Sequence, residues 1–442
     1  MKIIHVLNHF LPDHIAGTEM YVYNLINSLQ DMGVEGIVLI PGYGHAQNRE
    51  YFYETVRVIQ YAEPSIVDRN LIMGKRDPEG LAFFTGILED ERPDIVHYHE
   101  LAGSNGITYR HVKGSKLSGF KNIMTFHLSG YSCKTGNLMY RDEQFCDGVI
   151  RIGRCSDCYN KVNRKDSLAS LLTYPLSRVL YSLGINSTQW NSRIGTALGL
   201  PFIIKKLQTD LLQLFDNCDA IVVLTEWYRN ILIKNDLPSE KIHHISQGLT
   251  VQTPAGAEST AGSEKRLKII FIGRIAHFKG LHILLEALKY IDPQRLSLDI
   301  YGTDPHDEYS EGLRSFSAEM KNVNWKGPIP PGNVVSVIGH YDMLCLPSAF
   351  SEMSPLVIQE AFAVQVPVLA SDVYGNAEQI QDGENGWLFR FKDAGDLQLK
   401  LEGLCDDPAL VLQARSNIKR VKPFAAVADE QLVVYRKISA AN

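Results

Sequence analysis

Residues 267–280 read LKIIFIGRIAHFKG, Leu267 through Gly280. The run Leu267 to Ile272 is apolar apart from Lys268 and has the length of a buried strand. Gly273 and Arg274 make the turn, and Lys279-Gly280 opens a helix reaching Leu288. A strand, a tight turn and a helix start leave free N–H groups and the positive end of a helix dipole pointing outward, which is an anion site. Two cations in that turn, Arg274 as a fork and Lys279 as a point charge, suit a diphosphate. A solvated surface turn is the other reading of these residues taken alone.

The same rhythm extends both ways. Upstream, strands are expected at residues 2–7, 34–40, 56–60, 94–99, 121–127 and 220–224. Residues 18–32 form a helix whose Met20, Val22, Leu25, Ile26 and Leu29 share a face, ended by Gly33. Downstream, strands are expected at 296–301, 343–346 and 366–370, with a helix from Pro355 to Ala363. Residues 250–264, TVQTPAGAESTAGSE, carry no apolar period and read as a linker. Strands separated by helices on both sides of a linker give an α/β protein of two doubly wound, Rossmann-like domains facing across a cleft. The expected organisation is an N-terminal domain at 1–249, the linker, a C-terminal domain at 265–425, and a terminal helix at 426–442 that could cross back to the N-terminal domain.

A second cluster follows the strand at 343–346: Ser351-Glu352-Met353-Ser354-Pro355-Leu356-Val357-Ile358-Gln359-Glu360-Ala361. Ser354 is placed to cap the helix and Pro355 to sit in its first turn. Glu360 then lies inside a helix with an apolar face, where an unpaired carboxylate is costly. Carboxylates here can accept hydrogen bonds from sugar hydroxyls, and the free N–H groups of Met353 to Leu356 can hold phosphate. Two surface glutamates are the plain alternative.

Taken together, these residues resemble the GT-B glycosyltransferases of family 4, a retaining group, over nearly the whole chain. The resemblance implies that Gly273, Arg274 and Lys279 form a donor diphosphate site and that Glu352 contacts the donor sugar. It implies that Glu360 holds the ribose hydroxyls, and that Met353, Ser354, Pro355 and Leu356 bind donor largely through backbone. Tyr374 to Glu378 and Asp382 to Gly386 match the family's closing stretch in structural places. Asn324 to Gly327 lies where the family cradles the base. In the N-terminal half, Ala16-Gly17-Thr18-Glu19 opens the first helix. The family has two adjacent glycines there, and this chain has Ala16 then Gly17. His127, ending the strand at 121–127, matches the family's histidine beside the transferred sugar. His97 and His99 alternate onto one strand face, and His99, the more terminal, is the expected acceptor-side contact.

Two features fall outside that pattern. Cys133, Cys146, Cys155 and Cys158 cluster within an insertion at 128–160, the last pair spaced Cys-x2-Cys. Four thiols at such spacing can close a structural zinc site; free cysteines or a labile disulfide are the alternatives. Residues 161–208 carry seven cations, Lys161, Arg164, Lys165, Arg178, Arg193, Lys205 and Lys206, against Asp166 alone, interleaved with leucines and aromatics. That pattern fits a helix on anionic lipid, or helices packed on the sheet with a solvated face.

Composition narrows the rest. A net charge of −6, with 45% hydrophobic and 21% charged residues, fits a soluble enzyme and gives no sign of nucleic-acid binding. The short apolar start lacks the length of a signal peptide, and no run of about 18 apolar residues occurs. A cytoplasmic enzyme is expected, at the inner face of the cell membrane if the basic segment meets lipid. The expected function is retaining transfer from a UDP- or GDP-sugar to a glycan or lipid-linked saccharide in surface polysaccharide synthesis, with no catalytic cofactor. A non-catalytic nucleotide-sugar-binding protein is the rival of another class. A pyridoxal-type phosphorylase lacks a clear cofactor lysine here.

Overall fold

The computed structural model describes residues 1–64, 68–101, 106–164, 168–250, 266–330 and 332–440. The chain forms two compact units, Met1–Ser246 with Phe424–Asn442, and Gln247–Pro423. Of the expected linker, all but Thr250 lies outside the described residues, as do Lys165 and Asp166 of the basic segment. The first boundary falls three residues earlier than expected. The reason is bonding: Gln247 Nε2 donates to the Ser354 carbonyl and Leu249 N to the Lys422 carbonyl, both within the second unit.

The first unit is built on β1 (Lys2–Val6), β2 (Glu35–Tyr43), β3 (Arg49–Tyr53), β4 (Val56–Glu63), β5 (Ile95–Tyr98), β6 (Lys121–Phe126), a small hairpin of β7 (Met139–Tyr140) and β8 (Gln144–Phe145), then β9 (Ala220–Val223) and β10 (Ile242–His244). Its sheet runs β10-β9-β6-β5-β1-β2-β4-β3, with only β3 antiparallel. β5 and β9 are buried at every residue, as continuous apolar runs covered on both faces must be. The order reverses between β1 and β5, the kind of switch point at which such sheets bind ligands beyond their carboxyl ends.

The helix Gly17–Gln30 buries Tyr21, Val22, Leu25, Ile26 and Leu29 on this sheet. Gly33, at φ 77°, ends the turn while Val34 N bonds back to the Leu29 carbonyl. The last helix, Phe424–Ala440, packs beside it. Phe424, Val427, Ala428, Leu432, Tyr435 and Ile438 join the same core cluster as Val22 and Leu25.

The second unit holds β11 (Leu267–Ile272), β12 (Leu296–Tyr301), β13 (Val323–Gly327), β14 (Met343–Leu346), β15 (Val368–Ser371) and β16 (Gly386–Phe389). All are parallel in the order β13-β12-β11-β14-β15-β16. This is the doubly wound order, with its switch between β11 and β14. Alternation divides β11 between two cores: Ile269 and Phe271 meet Leu281, Leu284 and Leu288, whereas Ile270 meets Ile338, Ile358 and Ala361. One expectation is corrected here. Pro355 is itself the N-cap of the helix Leu356–Ala363, and no side chain caps it. Ser354 lies one residue too early to serve.

The terminal helix supplies core to residues laid down some 400 positions earlier. Leu432→Ala removes a side chain that is 6% exposed and should lower unfolding free energy by about 2–4 kcal/mol, read from the urea midpoint. An unchanged midpoint would mean that the helix is not part of this core.

Candidate active site

In the second unit, the chain leaves β11 at Gly273 and β14 at Pro347, next to one another across the switch. The two loops are joined through backbone. Gly280 has φ 72°, and a Cβ there would stand 1.7 Å from the Pro347 carbonyl oxygen. Ala349 N donates to the Phe278 carbonyl at 2.8 Å. Only a glycine at 280 permits that approach.

This contact brings Lys279 to Glu352. Lys279 Nζ lies 2.7 Å from Glu352 Oε1, which also accepts from Ser348 Oγ at 2.8 Å. Glu352 is buried, whereas Lys279 is partly open. The ammonium also sits 5.3 Å from the centre of the Phe350 ring, and the exposed Arg274 guanidinium lies 5.7 Å from that of Phe278. The far side of the Glu352 loop is fixed by Gly375, whose missing side chain leaves room for the Glu352 carbonyl, 2.2 Å from where a Cβ would be. Ser371 Oγ donates to the Ser348 carbonyl at 2.7 Å, and Asn376 Nδ2 holds the Ser371 carbonyl.

Met353, Ser354, Pro355 and Leu356 follow directly, at the start of the helix Leu356–Ala363. Glu360 sits on its second turn, partly buried, with no hydrogen bond or ion pair among the described residues. Burial raises its carboxyl to about 7. Asn324 to Gly327 fall on the edge strand β13.

In the first unit, four histidines meet at the switch between β1 and β5: His5 and His97 inside those strands, His99 and His127 just past β5 and β6. His127 Nε2 is 3.2 Å from His99 Nδ1, and His99 Nε2 is 3.1 Å from His5 Nδ1. His97 bonds Thr125 Oγ1 at 2.7 Å and the Tyr435 hydroxyl at 2.6 Å. Desolvation holds all four rings neutral. It lowers His5 and His127 to about 3 and pushes His97 and His99 well below their ordinary value. Each N···N contact needs one N–H and one lone pair, so the tautomers are set in sequence along the row. Tyr21 meets the His127 ring edge-on, with centroids 4.9 Å apart.

Gly17 begins its helix exposed, and a Cβ there would meet nothing within 4 Å. The chain itself does not require glycine at that position. Two residues on, buried Glu19 accepts from His14 Nδ1 at 2.7 Å. Cys133, Cys146, Cys155 and Cys158 line one small cavity of this unit, and none of them is in a disulfide.

Two family models match: "Glycosyltransferase Family 4" over residues 15–150 and "Glycosyl transferases group 1" over residues 257–421. The chain belongs to the family 4 glycosyltransferases. Among the relatives of this chain is the D-inositol 3-phosphate glycosyltransferase of Corynebacterium efficiens, 28% identical over 52% of this chain and 59% of that one. The chain thus spans about half the length of the curated relatives it matches. Solved structures share its GT-B fold along the whole chain. Sucrose-phosphate synthase from Thermosynechococcus elongatus aligns with a TM-score of 0.65 at 17% identity, covering 100% of both chains. Anabaena HepE in complex with UDP-glucose aligns with a TM-score of 0.57 at 14% identity, covering 100% of this chain and 98% of that one.

In the second unit, Gly273, Arg274, Lys279, Glu352 and the Met353–Leu356 segment lie on the loops that follow β11 and β14, and Glu360 lies in the helix after them. His127 and Gly17 lie at the ends of elements in the other unit. His99, the expected acceptor-side contact, is fully buried, and both its nitrogens are taken by His5 and His127. Sequence reasoning missed His5, Ser348 and Tyr435, and gave Glu19 no role of its own. A histidine inside the apolar run of β1 was the available signal for the first.

Because the folded imidazoles resist protonation, stability is complete above about pH 6.5 and is lost as the pH falls toward 3. The unfolded chain binds protons that the native one refuses. The slope should approach about 1.4 kcal/mol per pH unit for each histidine of the row. Urea midpoints between pH 7.5 and 5 measure it. A flat profile would mean that the rings are charged in the native protein.

Proposed function

We propose that this protein is a retaining glycosyltransferase that takes a sugar from a UDP- or GDP-sugar and passes it to a glycan or a lipid-linked saccharide in surface polysaccharide synthesis. The observation that carries the reading is the Lys279–Glu352–Ser348 cluster at the switch point of the second sheet, beside Arg274 and a free helix start. The UDP-glucose of HepE, a protein of the same fold, supports a nucleotide-sugar ligand. Arg274 and Lys279 take the diphosphate, and Lys279 exchanges part of its bond to Glu352 for phosphate oxygens. Glu352 Oε2, which has no hydrogen bond among the described residues, accepts from a sugar hydroxyl. Glu360 accepts from the ribose, and Gly17 leaves room for the donor or acceptor at its helix start.

In the reaction, the bond from the acceptor oxygen to the anomeric carbon forms on the face from which the diphosphate departs. The acceptor proton passes to a leaving phosphate oxygen. Arg274 and Lys279 stabilise the charge that builds there, so the step needs no divalent ion. His127, held neutral with Nε2 turned to His99, offers Nδ1 beside the transferred sugar.

A lipid-borne acceptor is supported by the surface of residues 173–206. Leu176, Val179 and Leu183 form an exposed stripe at helical spacing, continued by Ile185, Trp190 and Ile194, with Arg178, Arg193 and Lys205 exposed among them. No described helix is long and apolar enough to cross a membrane; this face would lie on anionic lipid.

Three measurements test the reading. Arg274→Ala and Lys279→Ala should each lower release of nucleoside diphosphate by about 10²–10³-fold, and a near wild-type rate in either would remove its role. Donor should bind more tightly as pH rises from 6 to 8, because hydroxyl donors favour the ionised Glu360 whose free value is about 7. Calorimetry should show proton release that Glu360→Gln abolishes; a pH-independent affinity would deny the contact. Flotation with anionic liposomes should fall when Arg178 and Lys205 are both changed to Gln, while equal partition would exclude this face.

A further inference from the structure

The insertion after His127 contains four thiols that the transfer reaction does not use. Cys133 follows the short turn Ser129–Tyr131, and Cys146 follows the β7–β8 hairpin. Cys155 and Cys158 lie on the first two turns of the helix Ile152–Arg164. Three separate pieces of chain therefore converge on one cavity, which has room for about one water-sized occupant. None of the four is in a disulfide.

Backbone N–H groups face three of the four sulfurs. Arg141 N donates to Cys158 Sγ at 3.1 Å and Arg151 N to Cys155 Sγ at 3.4 Å. Gly148 N supports Cys146 in the same way. Gly148 has φ 71°, and a Cβ there would strike the Ile231 side chain at 2.6 Å, so this tight turn beside Cys146 requires glycine. Arg154 also lines the cavity. Neither a carboxylate nor an imidazole lines it. A donor set of four sulfurs with N–H groups behind them selects a soft, tetrahedral ion.

We propose that Cys133, Cys146, Cys155 and Cys158 bind one zinc ion in a closed tetrahedral site. On binding, four thiols lose four protons and four Zn–S bonds form, leaving a doubly negative centre that Arg154 offsets. Among the described residues only His5, His97 and His99 bring three such ligand atoms within 4.8 Å of one another, so the sulfurs close in by side-chain rotation as the ion enters. The histidine trio is the poorer metal site. Five of its six ring nitrogens are already engaged, with His5 Nε2 the exception. A hairpin of two-residue strands cannot bury a core of its own, and the ion supplies the missing cross-link. The site is filled by protein ligands and takes no part in sugar transfer.

Elemental analysis of the full-length protein, purified without chelator, should give about one zinc per chain. Cys146→Ser and Cys158→Ser should lose it, whereas Cys405→Ser, outside the cluster, should keep it. Wild-type protein exchanged with cobalt(II) should show the intense visible bands of a tetrahedral four-sulfur site, which tests the proposal even if the serine variants do not fold. Zinc-free protein with four freely titrating thiols, a disulfide among the four, or iron in place of zinc would each overturn it. None of these outcomes depends on whether a nucleotide-sugar binds.

Discussion

The approach of the Gly280 backbone to the Pro347 carbonyl determines the geometry of the C-terminal unit's site. Parallel sheets of this order leave a gap wherever adjacent strands send their connections to opposite faces. Here the gap is closed from below by main chain, because residue 280 has no Cβ and adopts a positive φ. Lys279 and Pro347 are the immediate neighbours of that contact, and Glu352 follows five residues after Pro347. The ion pair is thus a product of backbone packing. Its partners hold their places before any ligand arrives, and Ser348 and Gly375 keep Glu352 from relaxing toward solvent.

The N-terminal unit organises polar groups by the opposite means. Its histidines are not charged against partners but stripped of water until they are neutral, then joined ring to ring. Such a row is specific in hydrogen-bond direction and carries no net charge. It can therefore stand at the end of a parallel sheet without the counterions that a buried imidazolium would need.

The strands that flank the second unit's switch point were legible because they rest on short-range signals. The apolar runs of β11 and β14, and the cations and carboxylates just beyond them, are readable in a window of a dozen residues. What could not be read depends on distant partners. The edge strands β3 and β13 mix exposed and half-buried residues, so their alternation is weak. The helix at Leu356 starts one residue later than expected because Pro355 takes an extended ψ of 116°. His99 looked terminal in its strand, and only the neighbouring strands β1 and β6 reveal that its nitrogens are spoken for. Tyr435, 338 residues from His97 in sequence, leaves no local trace at all.

That last contact bears on how the chain is made. The N-terminal unit is discontinuous: residues 1–246 lack a wall of their core until residues 424–440 have been synthesised. On a ribosome, the first sheet would emerge with the apolar face of Gly17–Gln30 uncovered while the contiguous second unit, 247–423, can already close. The second unit can then finish first, while the first waits for the helix Phe424–Ala440. A chain cut just before Phe424 would keep every donor-side residue named above and still lack Tyr435, the partner of His97.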